Sequence, residues 1–68
     1  MKIAVLNLVT PIRFGGNVAQ HQITASPELD LEFDPDEEVI EFRKVVAGKS
    51  TVVLIVPRDN VASMVPQS

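Results

Sequence analysis

Apolar residues fall into short runs along the chain, separated by turn-forming residues. Ile3 to Val9 is an almost unbroken apolar run, which predicts a buried strand bounded by Thr10-Pro11. Thr51 to Val56 contains no charged residue, which predicts a strand at the centre of a sheet. Shorter strands are predicted over Val18–Thr24 and Val61–Val65. The pattern therefore predicts a protein built mainly from strands.

The stretch ELDLEFDPDEEVIE, residues 28–41, holds eight carboxylates and no positive charge. Within it, LDLEFD (residues 29–34) alternates strictly between apolar and acidic positions. This period of two predicts a strand with one apolar and one acidic face, on which successive carboxylates lie about 6.5–7 Å apart. The acidic face is either a solvated surface that keeps an edge strand from pairing with neighbouring chains, or a surface that binds a partner.

Two structures are compatible with residues 35–47. Asp34 as N-cap, Pro35 at the first helical position and Gly48 beyond the end would suit a short helix. Against the helix, Arg43 falls within the apolar arc of its wheel, and EVIEFRKVV is rich in β-branched residues, which favour strands. We therefore expect a turn at DPDE followed by a strand, with the helix as the alternative.

Turn signals separate these segments and complete the expected fold. Gly15-Gly16-Asn17 tolerates positive φ, Ala47-Gly48 suits a hairpin, and PRDN (residues 57–60) suits a turn or a single 3₁₀ turn. The fold expected from the sequence is one domain over residues 1–68, all-β or mostly β. It is a small barrel or a curled antiparallel sheet of five or six strands, with a short helix near 35–47 as the alternative element.

The composition points to a small domain that gains stability from a partner subunit. The chain has 68 residues, 46% of them hydrophobic, no cysteine and one histidine. A chain of this length buries only about 60% of its unfolded surface, and disulfides and thiolate metal sites are excluded. We therefore expect a homo-oligomer. The first apolar run is too short for a signal peptide or a membrane span, so the expected location is the cytoplasm, with no membrane contact.

No motif for catalysis passes a check of its spacing. AGKST (residues 47–51) resembles the end of a phosphate-binding loop, but Arg43 stands where that pattern requires glycine, and a strand rather than a helix follows. The carboxylates of residues 34–38 lack the spacing of a calcium loop. His21 is the one histidine, and a small barrel without a deep pocket suits catalysis poorly. We expect no enzymatic activity, no cofactor and no metal.

Charge also disfavours nucleic acid as the partner. The chain has six basic and nine acidic residues, and its pI is about 4.8. Nucleic-acid binding depends on a basic surface, because neutralised phosphates supply most of the affinity. Binding of this kind would require Arg13, Arg43, Lys44, Lys49 and Arg58 to gather on one face of the folded chain.

The ending IVPRDNVASMVP resembles the closing strands of two families of small β-barrels. In Src-homology-3 domains a strand runs into proline, a 3₁₀ turn and a Val-Ala strand, which Pro57 and Val61-Ala62 match. The ending is similar too to Sm-like RNA-binding proteins, in which Pro57-Arg58-Asp59 would occupy the turn that helps line the RNA pore. The aromatic residues of Src-homology-3 grooves and the Tyr-Lys-His turn of bacterial Sm-like proteins are both missing. The resemblance therefore implies a fold and not a set of binding residues.

The chain also resembles the short, acidic, cysteine-free proteins typical of bacteriophage genomes, which often bind one host enzyme. Together with the acidic face, this resemblance implies a non-enzymatic protein-binding module that inhibits a host nucleic-acid-processing protein such as RNA polymerase. Two alternatives stay open: an Sm-like oligomeric RNA-binding barrel, and a structural or assembly protein of a virion. The residues expected to contact the partner are Glu28, Asp30, Glu32, Asp34, Glu37 and Glu38, with Arg43, Lys44 and Arg58 as flanking bases.

Overall fold

A computed structural model describes the whole chain, residues 1–68. It contains six strands and one short 3₁₀ turn, Arg58–Asn60, and no α-helix. No helix therefore has the length and apolar character needed to cross a bilayer. The strands are β1 (Ile3–Arg13), β2 (Ala19–Thr24), β3 (Leu29–Asp34), β4 (Val39–Val46), β5 (Lys49–Pro57) and β6 (Val61–Pro66).

The strands form two antiparallel sheets of three strands each. The first sheet has the order β2-β1-β6 and the second has the order β3-β4-β5. The predicted all-β fold is therefore confirmed, with the upper of the two expected strand numbers. The sheets are not closed into a barrel, although the start of the chain links them: Lys2 forms an isolated antiparallel bridge with Glu32 on the outer side of β3.

The hydrophobic core draws on both sheets. Nine residues are buried, and all of them are apolar. Phe42 in β4 is fully buried, and the ring of Phe14 meets it edge to face at a centroid distance of 5.1 Å. The apolar positions of β3 and β4 face inward in register, since Leu31 pairs with Phe42 and Phe33 with Ile40. The full core is Ile3, Leu6, Leu8, Ile23, Leu31, Ile40, Phe42, Val56 and Val61.

Residues 35–47 form a turn and then a strand, so the helix alternative is not adopted. Residues 35–38 make the turn and β4 follows it from Val39. In the strand, Ile40 and Phe42 point into the core while the guanidinium of Arg43 lies on the outer face, where it pairs with Glu41. A helix would have placed Arg43 among the apolar side chains. A strand, with its period of two, buries Ile40 and Phe42 and leaves Arg43 on the opposite face.

Two strands differ from their predicted places. β1 continues through Pro11 to Arg13. Its pairing with β2 shifts register between Asn7 and Ile12. Proline, which has no amide hydrogen, is tolerated at such an irregularity. The run Thr51–Val56 was predicted to be central, but β5 forms the edge of the second sheet. Its uncharged side chains are mostly exposed rather than buried. A central position would have required a further strand on the outer side of β5, and none pairs there.

The hairpin between β4 and β5 yields a prediction about stability. Val46 pairs with Lys49, and the two turn residues between them, Ala47 and Gly48, have φ values of 52° and 78°. Such a turn favours Asn-Gly, because asparagine tolerates positive φ better than alanine does. Ala47→Asn is expected to raise the free energy of unfolding by about 0.5–1 kcal/mol, as measured by urea unfolding. Ala62→Asn on β6 is a control that should give no gain.

Candidate acidic binding surface

The acidic row predicted on β3 lies against the start of the chain. Lys2 Nζ is 3.3 Å from Asp30 Oδ2 and 3.7 Å from Glu32 Oε2, and the N-terminal ammonium is 3.8 Å from Glu32 Oε1. Backbone hydrogen bonds hold this segment in place: Phe33 N donates to Met1 O, and the N-terminal ammonium donates to Phe33 O. Two of the predicted contact acids therefore already have cationic partners within the molecule.

The neighbouring strand continues this pattern of internal pairing. Glu32 lies opposite Glu41 in the sheet, and Glu41 Oε1 accepts hydrogen bonds from Arg43 Nη2 at 2.9 Å and Nε at 3.2 Å. Three carboxylates on this face, those of Asp30, Glu32 and Glu41, are thus matched by three cationic groups. The face forms a shallow depression of about 450 Å³ that is lined by charged groups of both signs.

The turn between β3 and β4 carries acids that have no such partners. We call Asp36, Glu37 and Glu38 the acidic turn; all three are exposed, and none forms an ion pair. Asp34 Oδ1 accepts hydrogen bonds from the backbone amides of Asp36 at 3.0 Å and Glu37 at 3.3 Å. An Asx turn of this kind fixes the backbone locally, so the conformation of the acidic turn is supported by contacts within the molecule.

A second contact holds the far side of the acidic turn. Glu38 adopts a φ of 54°, which is uncommon for a residue with a side chain, and its carbonyl accepts a hydrogen bond of 2.9 Å from Arg58 N. This bond brings the 3₁₀ turn, with its exposed carboxylate at Asp59, beside the acidic turn. The Arg58 guanidinium donates to Val61 O at 3.3 Å rather than to a carboxylate.

Charged residues are distributed unevenly between the two ends of the second sheet. The acidic turn and Asp59 lie at one end, while Lys44 and Lys49 flank the β4–β5 hairpin at the other. Glu28 lies at this basic end, where its backbone carbonyl accepts a hydrogen bond from Val45 N. The basic residues do not gather into one surface, because Arg58 is at the acidic end and Arg43 is paired on the outer face.

The structure divides the predicted contact residues into three groups. Glu37, Glu38 and Arg58 come together at the acidic end, with Asp34 as the residue that orders their turn. Asp30, Glu32 and Arg43 take part in internal ion pairs, and Glu28 and Lys44 lie at the opposite end. Sequence reasoning did not single out Asp36, Asp59 or Lys2 as contact residues. Asp36 and Asp59 are acidic residues in predicted turns, so the sequence could have indicated them. The pairing of Lys2 with β3 depends on tertiary structure.

The remaining candidate residues do not assemble into a site. His21 is exposed, and its Nδ1 lies 3.3 Å from Leu8 O, so the ring contacts the backbone of the adjacent strand. No three carboxylate or imidazole groups converge in a geometry that would hold a metal ion. AGKST forms the β4–β5 hairpin and the start of β5, as the interpretation of this motif as a turn predicted.

Comparison of the chain with protein-family models, with curated proteins and with solved structures gives no match.

Proposed function

We propose that this protein is a non-enzymatic protein-binding module that uses its acidic end to contact a basic surface of another protein. The observation that supports this proposal is the acidic turn: three exposed carboxylates without ion pairs, on a backbone held by the Asp34 side chain and by Arg58 N. Asp59 adds a fourth carboxylate beside them. The internally paired acids of β3 support the fold around this end.

Physical chemistry favours a charged protein surface as the partner. Clustered charges of one sign steer association with a surface of opposite sign, and they increase the association rate at low salt. An ordered turn loses less conformational entropy on binding than a flexible loop does. With a net charge of −3, the protein repels nucleic acid, and it is attracted to the basic clefts with which other proteins bind nucleic acid.

The partner class follows from this charge complementarity. Carboxylates at the acidic end would occupy positions that phosphates otherwise take in a basic cleft, and the cleft would then be closed to nucleic acid. The function proposed is inhibition of a nucleic-acid-processing protein, such as the RNA polymerase of a host cell if the gene belongs to a bacteriophage. The protein would then act in the host cytoplasm.

The test is capture of a partner from bacterial lysate by the tagged protein. The wild type is compared with Glu37→Lys/Glu38→Lys at about 0.05 M and about 0.3 M salt, and with duplex DNA added as a competitor. We expect the wild type to retain a nucleic-acid-binding protein, the variant to lose it, and both salt and DNA to reduce capture. Reversal of two exposed charges in the contact should weaken binding by about 10- to 100-fold.

The control for position is Glu28→Lys, which reverses a single exposed acid at the basic end of the same sheet and is compared with Glu37→Lys alone. It should leave capture nearly unchanged, while circular dichroism confirms that every variant is folded. Capture that survives the charge reversal, or that is insensitive to both salt and DNA, would contradict the proposed function.

A further inference from the structure

A cavity of about 360 Å³ opens between the basic end of the second sheet and the segment that follows β1. Pockets for small molecules measure about 300–1,000 Å³ and, in β-proteins, occur at the open mouth of a barrel. This cavity has a size near the lower end of that range, which suits a molecule with a single ring. We call it the end cavity; its lining residues are Phe14, Gly15, Glu28, Leu29, Lys44 and Val53.

The apolar walls of the end cavity extend the hydrophobic core. Phe14 and Leu29 pack against the core, and the ring of Phe14 meets the fully buried Phe42 edge to face at 5.1 Å. Val53 is the extra residue of a bulge in β5, because Phe42 pairs with Leu54 and Arg43 with Val52. Bulges redirect side chains next to functional sites, and here Val53 lines the cavity.

Lys44 is a charged residue at an inward-facing position of a central strand. Ile40 and Phe42 in β4 are buried, and alternation places Lys44 on the same face. Its partner in β3 is Leu29, which also faces inward. Inward-pointing charges commonly protect an edge strand, but β4 lies between β3 and β5. The Lys44 ammonium forms no ion pair within the molecule, so it is available to a ligand in the cavity.

Glu28 supplies a carboxylate to the same cavity. Its backbone is held by the hydrogen bond of 2.9 Å from Val45 N to Glu28 O, and its Oε2 accepts a hydrogen bond of 3.3 Å from Ser26 Oγ. The carboxylate forms no ion pair, with Lys44 or with any other cation. The end cavity therefore combines an apolar wall with one separate charge of each sign.

We propose that the end cavity binds a free α-amino acid with an aromatic side chain. The ring lies among Phe14, Leu29 and Val53, where it can pack against Phe14 in the geometry that aromatic pairs prefer. The carboxylate of the ligand pairs with the Lys44 ammonium, and its ammonium pairs with the Glu28 carboxylate. The end cavity lies at the opposite end of the sheet from the acidic turn, so this inference is independent of the proposed function.

Charge complementarity selects a zwitterion over ligands with a single charge. An aromatic carboxylate would pair with Lys44 but would be repelled by Glu28, and an aromatic amine would be repelled by Lys44. A ligand without charge would leave both groups without a partner. A free amino acid carries both charges on one carbon atom, beside the side chain that enters the apolar part of the cavity.

The first test compares three probes that share a phenyl ring: L-phenylalanine, 3-phenylpropanoate and 2-phenylethylamine. Each is titrated at neutral pH into the full chain labelled with nitrogen-15, and binding is followed by the amide shifts in NMR spectra. We expect the shifts of Gly15, Leu29 and Val53 to saturate with L-phenylalanine at a Kd of about 1 mM or lower. Each probe with a single charge should bind at least about fivefold more weakly.

Two results of this titration would overturn the proposal. One is the absence of saturation by about 20 mM L-phenylalanine, or saturation confined to amides outside the end cavity. The other is equal affinity for the three probes, which would show that the ring alone is bound and that neither charge takes part.

The second test exchanges the preference between the single-charge probes. Lys44→Met and Glu28→Gln should each weaken L-phenylalanine binding by about fivefold. Lys44→Met should also bind 2-phenylethylamine more tightly than the wild type does, because the repulsion is removed, and Glu28→Gln should do the same for 3-phenylpropanoate. Both residues are exposed, so the variants should stay folded by circular dichroism.

The matched control is Lys49→Met, which makes the same change at the same end of the sheet but outside the cavity. It should leave the affinities of all three probes unchanged. An effect of Lys49→Met as large as that of Lys44→Met would overturn the proposal. So would an order of the three affinities that stays the same in both cavity variants as in the wild type.

Discussion

Phe42→Ala is expected to lower the free energy of unfolding by about 3–5 kcal/mol. Phe42 is fully buried in the middle of β4 and contacts Phe14 edge to face. Truncation of a buried phenylalanine to alanine costs about 3–5 kcal/mol, from lost transfer free energy and from the cavity that remains. A domain of this size has a total stability of about 3–10 kcal/mol, so this one change removes from about a third of it to all of it.

Urea unfolding followed by far-ultraviolet circular dichroism measures this effect. The matched control is Val46→Ala in the same strand, at a side chain 60% exposed, which should change the free energy of unfolding by less than about 0.5 kcal/mol. A Phe42→Ala variant that unfolds within about 1 kcal/mol of the wild type would contradict the packing described for the core.

Asn60→Ala is expected to have the second largest effect, about 1–3 kcal/mol. The Asn60 side chain bonds the backbone of β1 from both of its ends: Oδ1 accepts from Thr10 N at 2.8 Å, and Nδ2 donates to Thr10 O at 3.1 Å. The pairing of β1 with β6 ends at Leu8. Beyond that point, the Asn60 side chain takes the place of a neighbouring strand for the backbone of Thr10. Alanine leaves both backbone groups of Thr10 without this partner.

The matched control for Asn60 is Asn60→Asp. Aspartate keeps the acceptor for Thr10 N but loses the donor for Thr10 O, so its free energy of unfolding should lie between those of the wild type and Asn60→Ala. Equal stability of all three proteins in urea would show that the contact between the 3₁₀ turn and β1 contributes nothing.

The local structure of several segments was predictable because it depends on alternation and turn chemistry. LDLEFD forms β3 with its apolar side chains toward the core, as the period of two predicts. Ala47-Gly48 makes the expected hairpin turn, and of the two structures expected for residues 57–60, a turn or a single 3₁₀ turn, residues 58–60 adopt the second. These features follow from neighbours in the sequence, so a single chain contains the information that they require.

The place of β5 was not predictable, because a run of uncharged residues fits two different positions. A central strand is buried by neighbours of its own chain, whereas an edge strand with the same composition stays exposed or is covered by another molecule. Which of the two occurs depends on how many strands the chain supplies to each sheet. The prediction for Thr51–Val56 was therefore wrong because of the strand order of the second sheet, which the local pattern of residues does not contain.

The candidate site was predictable in composition but not in arrangement. The acidic stretch from Glu28 to Glu41 is evident in the sequence, yet it does not show that Lys2 reaches Asp30 across 28 positions of the chain. Nor does it show that Arg58 N approaches the carbonyl of Glu38. Both contacts form when distant strands meet: the first gives Asp30 an internal cationic partner, and the second places the 3₁₀ turn beside the acidic turn.

We propose that a partner is held by the acidic turn and not by the paired acids of β3. The most direct measurement compares two variants that lose the same number of charges, Glu37→Gln/Glu38→Gln and Asp30→Asn/Glu32→Gln, in capture from the same lysate at low salt. We expect capture to fall by about tenfold or more in the first variant and to persist in the second, with both still folded by circular dichroism. Equal loss in both variants, or loss confined to the β3 variant, would contradict this division of the acidic residues.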